Sequence, residues 1–295
     1  MTAAEGAVYD RGYRPYEGVR GGRGAAILAL WKASMRRAVG LRRAWRQKVM
    51  PWSLLAIATV PAIVNVGIAY VTRDTPIEDF EFITYRDYVG VSMALLVFVA
   101  IAAPDVICPD RRYRVLPLIF ARPLDGRDYV FAKVGAIFTL VFAFGFLPQV
   151  VLFVGQMLVS DEALTYLTDH AEVIWQVPLA VALLALYFST VSVALSSLTN
   201  RRVAAGVMVL GLNLVTSAVA GILVSVNGEE SGAALLNLLG IPLYLRDLVF
   251  LGEIGSDTSL SGTQGGGALA IVVYTVVVAI GMSVLLYRYA EADRT

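Results

Sequence analysis

Six stretches of the chain are apolar over lengths that suit a bilayer crossing: 52–71, 88–103, 129–159, 173–198, 203–226 and 268–287. A hydrocarbon core about 30 Å thick calls for about 20 apolar residues in helical form. The pattern predicts an all-α integral membrane protein with six transmembrane helices. The second stretch is short and must borrow residues at its ends. The third is long enough to tilt or protrude, and Pro148 is a potential kink within it. Ahead of the spans, Ile27, Trp31, Met35, Ala38, Leu41 and Trp45 recur at three- and four-residue steps. Lys32, Arg36, Arg37, Arg43, Arg46 and Lys48 fall largely elsewhere on the helical wheel. This pattern predicts an N-terminal amphipathic helix over 24–49, lying in the headgroup plane. It would anchor the chain to anionic lipid, link a partner to the first span, or do both. Pro51 suits the first turn of span one, with Trp52 at the interface. The chain thus divides into a tail and interfacial helix, 1–50, and a six-span domain, 51–295.

Between the spans the pattern changes character. Residues 72–87 and 160–172 are acidic, and 199–202 forms a tight loop. The stretch 233–251 is apolar enough for a seventh span, but Gly240-Ile241-Pro242 interrupts it and Arg246-Asp247 charges it. The expectation is a broken re-entrant hairpin of two short helices dipping into the outer leaflet before span six. Irregular backbone at that depth needs protein around it, so the hairpin should pack on the spans. The Gly/Ser/Thr-rich stretch 252–267 is expected to be flexible.

Composition sharpens the class. Of 295 residues 58% are hydrophobic and 16% charged, with a mean hydropathy of +0.69. Soluble domains have about 45–50% apolar and about 25% charged residues. Lys and Arg give the orientation, because cytoplasmic loops carry the excess. With the N-terminus inside, the cytoplasmic side holds the tail, the interfacial helix and Arg111, Arg112, Arg114, Arg122, Arg127, Lys133, Arg201, Arg202, Arg288 and Arg294. The outer side holds Arg73, Arg86 and Arg246. Both termini are therefore expected in the cytoplasm. Residues 1–23, rich in Gly, Arg and Tyr, form a tail along the surface, and 1–50 has no apolar core of a cleaved signal peptide.

Candidate chemistry is sparse. Cys108 is the only cysteine and His170 the only histidine, so neither a disulfide nor a His-based metal cluster is expected. No G-x-x-x-x-G-K-[S/T] occurs, so the chain lacks a phosphate-binding loop of its own. The spans hold almost no ionisable residues, where an intramembrane enzyme or a proton-coupled carrier would place them. No catalytic residue, metal or nucleic-acid partner is expected. Polar residues do recur in span five, at Asn213, Thr216, Ser217, Gly221 and Ser225, and in span four, at Ser189, Ser192 and Ser196. These suit close helix packing, a wall of a translocation pathway, or a two-fold interface. Asn65 in span one is a further polar candidate.

The segment 104–133, PDVICPDRRYRVLPLIFARPLDGRDYVFAK, interrupts the apolar pattern most. Pro104 and Pro109 bracket the end of span two. Asp110 to Arg114 and Val115 to Phe120 make a short amphipathic piece, a cytoplasmic helix between spans two and three. Asp128 is placed to cap span three. Dense charge around Leu116, Leu118, Ile119 and Phe120 suits docking, because complementary charge fixes register.

Asp110-Arg111-Arg112, Leu116-Pro117-Leu118, Arg122-Pro123-Leu124, Asp128-Tyr129 and Lys133 resemble the coupling segment of ABC-2-type exporter permeases, particularly those of high-GC Gram-positive bacteria. The order of elements over nearly the whole chain is similar too. The pattern departs at Tyr113-Arg114, where a Ser-Gly or Thr-Gly is common, and at Asp105, where a Glu is common. That puts the local backbone of the coupling element apart from the family's. The resemblance implies a half-transporter in a bacterial cell (inner) membrane. It would pair with a second permease chain, as homodimer or heterodimer, and dock cytosolic ABC ATPase subunits. ATP and Mg would bind those subunits, and this chain would carry no cofactor. Asp105, Asp110, Arg111, Arg112, Arg114, Leu116, Leu118, Arg122, Asn200, Arg201 and Arg202 would receive the ATPase, with Asp128 and Lys133 holding the base of span three. The cargo would be amphipathic or hydrophobic. The alternatives are a membrane enzyme acting on lipid and a non-transporting anchor or regulator of an ATPase.

Overall fold

A computed structural model describes residues 21–41, 45–73, 84–89, 93–160, 162–228 and 232–292. Among them the chain is all-helical, and six helices are long and apolar enough to cross a membrane: Lys48–Thr72, Tyr85–Arg112, Gly126–Val159, Val173–Ser197, Arg202–Asn227 and Gly266–Ala290. The element order is α1 (Arg23–Ala38), α2 (Trp45–Thr72), α3 (Tyr85–Tyr88), α4 (Met93–Arg112), α5 (Leu116–Phe120), α6 (Gly126–Val159), α7 (Ala163–Asp169), α8 (Val173–Ser197), α9 (Arg202–Asn227), a 3-10 turn (Ala233–Leu236), α10 (Ile241–Leu251) and α11 (Gly266–Ala292). Most of the tail, the acidic residues Asp74, Glu78, Asp79 and Glu81, and Arg294 lie outside the described residues.

α4 and α8 form the centre, and α2, α9 and α11 leave most of their apolar surface uncovered by this chain. The core joins Leu96, Val99, Ala103 and Ile107 of α4 to Ile137 and Val141 of α6, and Tyr187 and Phe188 of α8. Close approach uses small residues, as expected where lipid is as apolar as the side chains. A Cβ at Gly155 of α6 would overlap Val66 of α2, and one at Gly281 of α11 would lie 3.1 Å from Thr190 of α8. The serines of span four belong to this packing. Ser189, Ser192 and Ser196 are buried and donate to the carbonyls of Leu186, Ser189 and Ser192 in their own helix.

Three boundaries differ from the sequence expectation. The N-terminal helix does not reach Val49. It stops at Ala38, where Gly40 takes φ 74° and its N–H returns to Arg37 C=O. Trp45 instead opens the first span, so Pro51 lies inside α2 rather than in its first turn.

Span two does not end at Pro104. α4 continues through Pro104 and Pro109 to Arg112. A helical proline releases the carbonyl four residues earlier, and a neighbouring helix can make this tolerable. The carbonyl released by Pro104 is that of Ala100, and it faces Gly206 of α9, where a Cβ would lie 2.8 Å from the oxygen. α4 then ends in a Schellman motif. Val115 N–H bonds Asp110 C=O at 3.0 Å, and Arg114 N–H bonds Arg111 C=O at 3.2 Å. Arg114 is the only described non-glycine residue with positive φ, 52°. The left-handed conformation costs an L-residue about 1–2 kcal/mol. Arg114→Gly is therefore expected to raise stability by up to about 1 kcal/mol after glycine's own entropy loss, while Arg114→Val lowers it; melting temperatures in one detergent compare the two.

The third difference lies in the loops. Residues 160–172 contain α7, and 252–265 is a run of turns around the buried Leu260. The apolar stretch 233–251 divides at 237–240 into the 3-10 turn and α10, and Ile241, Pro242, Tyr244 and Leu245 of α10 are buried. At this end of the bundle Asp247 is fully buried, and its Oδ1 accepts from Arg86 Nε at 2.9 Å and from Arg246 at 2.7 Å. Arg86 also reaches Asp257 at 2.6 Å and holds that carboxyl below the usual carboxylate range. These bonds tie α10 and the following turns to α3.

Candidate functional site

The Lys- and Arg-rich end of the bundle gathers most of the residues singled out above, in two layers. The inner layer is an ionic lock. Because α4 stays helical past both prolines, Asp110 arrives beside α6 and α1 on a buried face, 2% exposed. Its Oδ2 lies 2.6 Å from Lys133 Nζ, and its Oδ1 lies 2.5 Å from a guanidinium nitrogen of Arg37. Lys133 is also 2% exposed and donates to Val106 C=O at 3.1 Å. Tyr129 O–H donates to Asp110 Oδ2 at 3.1 Å, and Lys133 sits over the Tyr129 ring. One carboxylate thus receives two cations and a phenol, and of these Lys133 and Tyr129 lie where neither could turn to water. Asp110 and Lys133 are consequently inside the molecule rather than on a docking surface.

α6 is fixed at its start by a capping box. Asp125 is the N-cap, and the Asp128 carboxylate accepts the Asp125 N–H at 3.2 Å. Asp128 is therefore the reciprocal partner in the cap, three residues inside the N-cap. Arg23 of α1 bridges both carboxylates, at 2.6 Å to Asp125 and 2.7 Å to Asp128. One residue on, Gly126 lies against the backbone of α11 at Tyr289, and the Tyr129 and Tyr289 rings pack at 4.8 Å. α1, α4, α6 and α11 thus converge here.

The outer layer is α5 with its flanks. Leu116, Ile119 and Phe120 pack toward the core, Phe120 edge-on to Tyr129. Leu118 points away, 73% exposed, and Tyr113 is 66% exposed. Arg112, Arg114 and Arg122 are exposed around them. Asn200, Arg201 and Arg202 are also exposed. Two more predicted residues are engaged within the chain. Asp105 pairs with Arg202 at 2.7 Å, which ties α4 to the start of α9. Arg111 donates to Ser197 C=O, and Cys108 approaches the carbonyls of Ser196 and Thr199 at 3.6 Å. These contacts serve carbonyls that the end of α8 leaves without helical partners.

The polar positions of span five do not share one face. Asn213 is buried and donates to Val209 C=O at 2.8 Å, and Thr216 donates to Leu212 C=O. Ser217 is half-buried, whereas Gly221 and Ser225 are exposed. A step of four residues overshoots a helical turn by about 40°, so the stripe winds from the core to the surface. Asn65 is buried on α2.

The sequence pattern missed Arg37 as a lock member, because it looked like a headgroup-facing base, and it missed Arg23 as the bridge across the α6 cap, because it fell at the end of the surface tail. It missed Tyr129 for want of any signal in its neighbours. Asp110 and Lys133 could have been paired from spacing only by extending α4 past Pro104. No family model matches the chain, and no curated protein matches it.

Proposed function

We propose that this chain is the membrane subunit of an ATP-driven exporter of the ABC-2 type, with both termini cytoplasmic. It pairs with a second permease chain and moves an amphipathic or hydrophobic cargo. The observation that carries this is the two-layered basic end. A short helix, α5, presents Leu118, and Arg112, Arg114 and Arg122 are exposed on its two flanks. It is mounted directly on the Arg37–Asp110–Lys133 lock through α4 and through Phe120 on Tyr129. An exposed apolar side chain on a helix with exposed cations on both flanks is what an acidic groove on a soluble partner would grip, since apolar anchors supply energy and charge sets register. A push there is transmitted at once to α1, α4, α6 and α11. The chain supplies no phosphate-binding loop of its own, so the work comes from separate ATPase subunits carrying ATP and Mg. The uncovered apolar faces of α2, α9 and α11 leave room for lipid and for the second permease.

The test is co-purification with a candidate ATPase, followed by ATP turnover and cargo movement in vesicles. Arg112→Glu with Leu118→Asp is expected to reduce cargo movement at least about tenfold, as loss of an anchor and a charge reversal together exceed 1.4 kcal/mol. The fold should survive, because both side chains are exposed. Unchanged transport would overturn the docking assignment. An ATPase that neither binds nor responds would overturn the class.

A further inference from the structure

A cleft of about 280 Å³ opens between α6 and α8, lined by Phe146, Gln149, Val150, Phe153, Ile174 and Val177, with Tyr85 of α3 closing one side. It lies about 24 Å along α6 from Lys133, at 1.5 Å per residue over sixteen residues, and therefore at the opposite end of the bundle from the ionic lock. Its walls are apolar except for Gln149. That side chain is 2% exposed, its Nε2 donates to Tyr85 C=O at 3.2 Å, and its Oε1 has no hydrogen-bond partner. The polar groups of the rim are already satisfied by one another. Tyr85 O–H meets Tyr166 O–H at 2.6 Å, Tyr166 donates to Gln156 Oε1 at 2.7 Å, and His170 stacks on Tyr166 at 4.1 Å. One buried, unpartnered acceptor thus stands in the wall of an apolar cleft, and a buried acceptor without a donor is costly unless a donor reaches it.

We infer that this cleft binds a single-chain amphiphile from the surrounding bilayer, whose head carries an O–H or N–H donor and no negative charge, with that donor on Gln149 Oε1. Four observations select this occupant. The mouth is flanked by Val150 and Ile174, 39% and 54% exposed on spanning helices, so it faces the acyl region rather than water. Val173 to Val177 are the first turns of α8, which sets the cleft near the interface, where a head group resides. A volume of 280 Å³ sits at the lower edge of small-molecule pockets and suits one chain, not a whole phospholipid. The lining has no cation, and Glu162, Asp169 and Glu172 belong to the adjoining connection, which has no Lys or Arg; an anionic head is disfavoured there.

The test needs no ATPase, so its result is separable from the transport proposal. Purified protein is titrated with monoolein, methyl oleate and oleate, and binding is read by native mass spectrometry. A diazirine-bearing monoacylglycerol maps the contact. Monoolein is expected to bind about two- to tenfold more tightly than methyl oleate, the span of one hydrogen bond. Cross-links should fall within 146–153 and 173–178. Gln149→Met should erase the preference, and Val150→Trp, filling the mouth from an exposed position, should abolish binding of both. Equal binding of methyl oleate, tighter binding of oleate, or cross-links elsewhere would overturn the inference, and these outcomes are read on the unaltered chain even if Gln149→Met does not fold.

Discussion

Asp110→Ala is expected to be the most damaging single substitution in the molecule, at about 3–5 kcal/mol, the range seen when one partner is removed from a buried ion pair. Arg37 is 37% exposed at its side chain and can turn to water, but Lys133 at 2% cannot. It would keep a single bond to Val106 C=O and an uncompensated charge. Tyr129 would lose its acceptor as well. The pair as a whole is worth far less than either deletion suggests, because burying two charges costs nearly what their attraction returns. Asp110→Leu combined with Lys133→Met should therefore recover most of the stability. Unfolding free energies in mixed micelles for the two singles and the double close the cycle. Additive losses would show that the two residues do not depend on one another. If the recovered double variant still fails to couple an ATPase, the lock serves transmission and not only folding.

The second large effect is expected at Gly126. A Cβ there would overlap the Tyr289 carbonyl oxygen and lie 2.8 Å from its carbon. Both atoms are backbone, so no side chain can swing aside. Gly126→Ala must part the start of α6 from the end of α11, and with it the Tyr129–Tyr289 contact. Overpacking of this kind costs about 1–3 kcal/mol. Gly135 in the same helix is the control. A Cβ there would meet only Trp31 at 3.7 Å, an ordinary contact, and alanine is favoured over glycine in a helix interior by about 1 kcal/mol. Gly135→Ala should be neutral or stabilising, and melting temperatures of the two variants should move in opposite directions. Equal shifts would mean that the approach of α6 to α11 is not tight.

Legibility from sequence varied with the range of the interaction. All six spans were readable, since each rests on a run of consecutive apolar residues. The tight loop at 199–202, α5 and the division of 233–251 were readable because they too rest on contiguous residues: a polar break between two apolar runs, an apolar stretch within a charged segment, and Gly240-Ile241-Pro242. The prolines misled. Pro104 and Pro109 are local stop signals, but in α4 the Ala100 carbonyl freed by Pro104 meets Gly206 on another helix, and the helix continues. Arg37 misled in the same way. Its place on the helical wheel suggested lipid headgroups, whereas the break at Gly40 lets α1 lie across α4 and α6. Among the candidate site residues, the exposed ones kept the surface position that dense charge suggests: Arg112, Arg114, Leu118, Arg122, Asn200 and Arg201. Those drawn inward did so through partners distant in sequence, as Asp105 with Arg202 and Asp110 with Lys133.

By itself, then, the sequence determined that the chain is helical and long enough in six places to span a bilayer, because crossing length and hydropathy belong to contiguous residues. It also determined where charge collects, because that is composition. Only the tertiary structure decided that Arg37, Asp110 and Lys133 form one lock beneath α5, and that Gln149 has a buried, unpartnered acceptor in the wall of an apolar cleft. Both depend on which helix faces meet, and that is settled by packing between elements far apart in the chain.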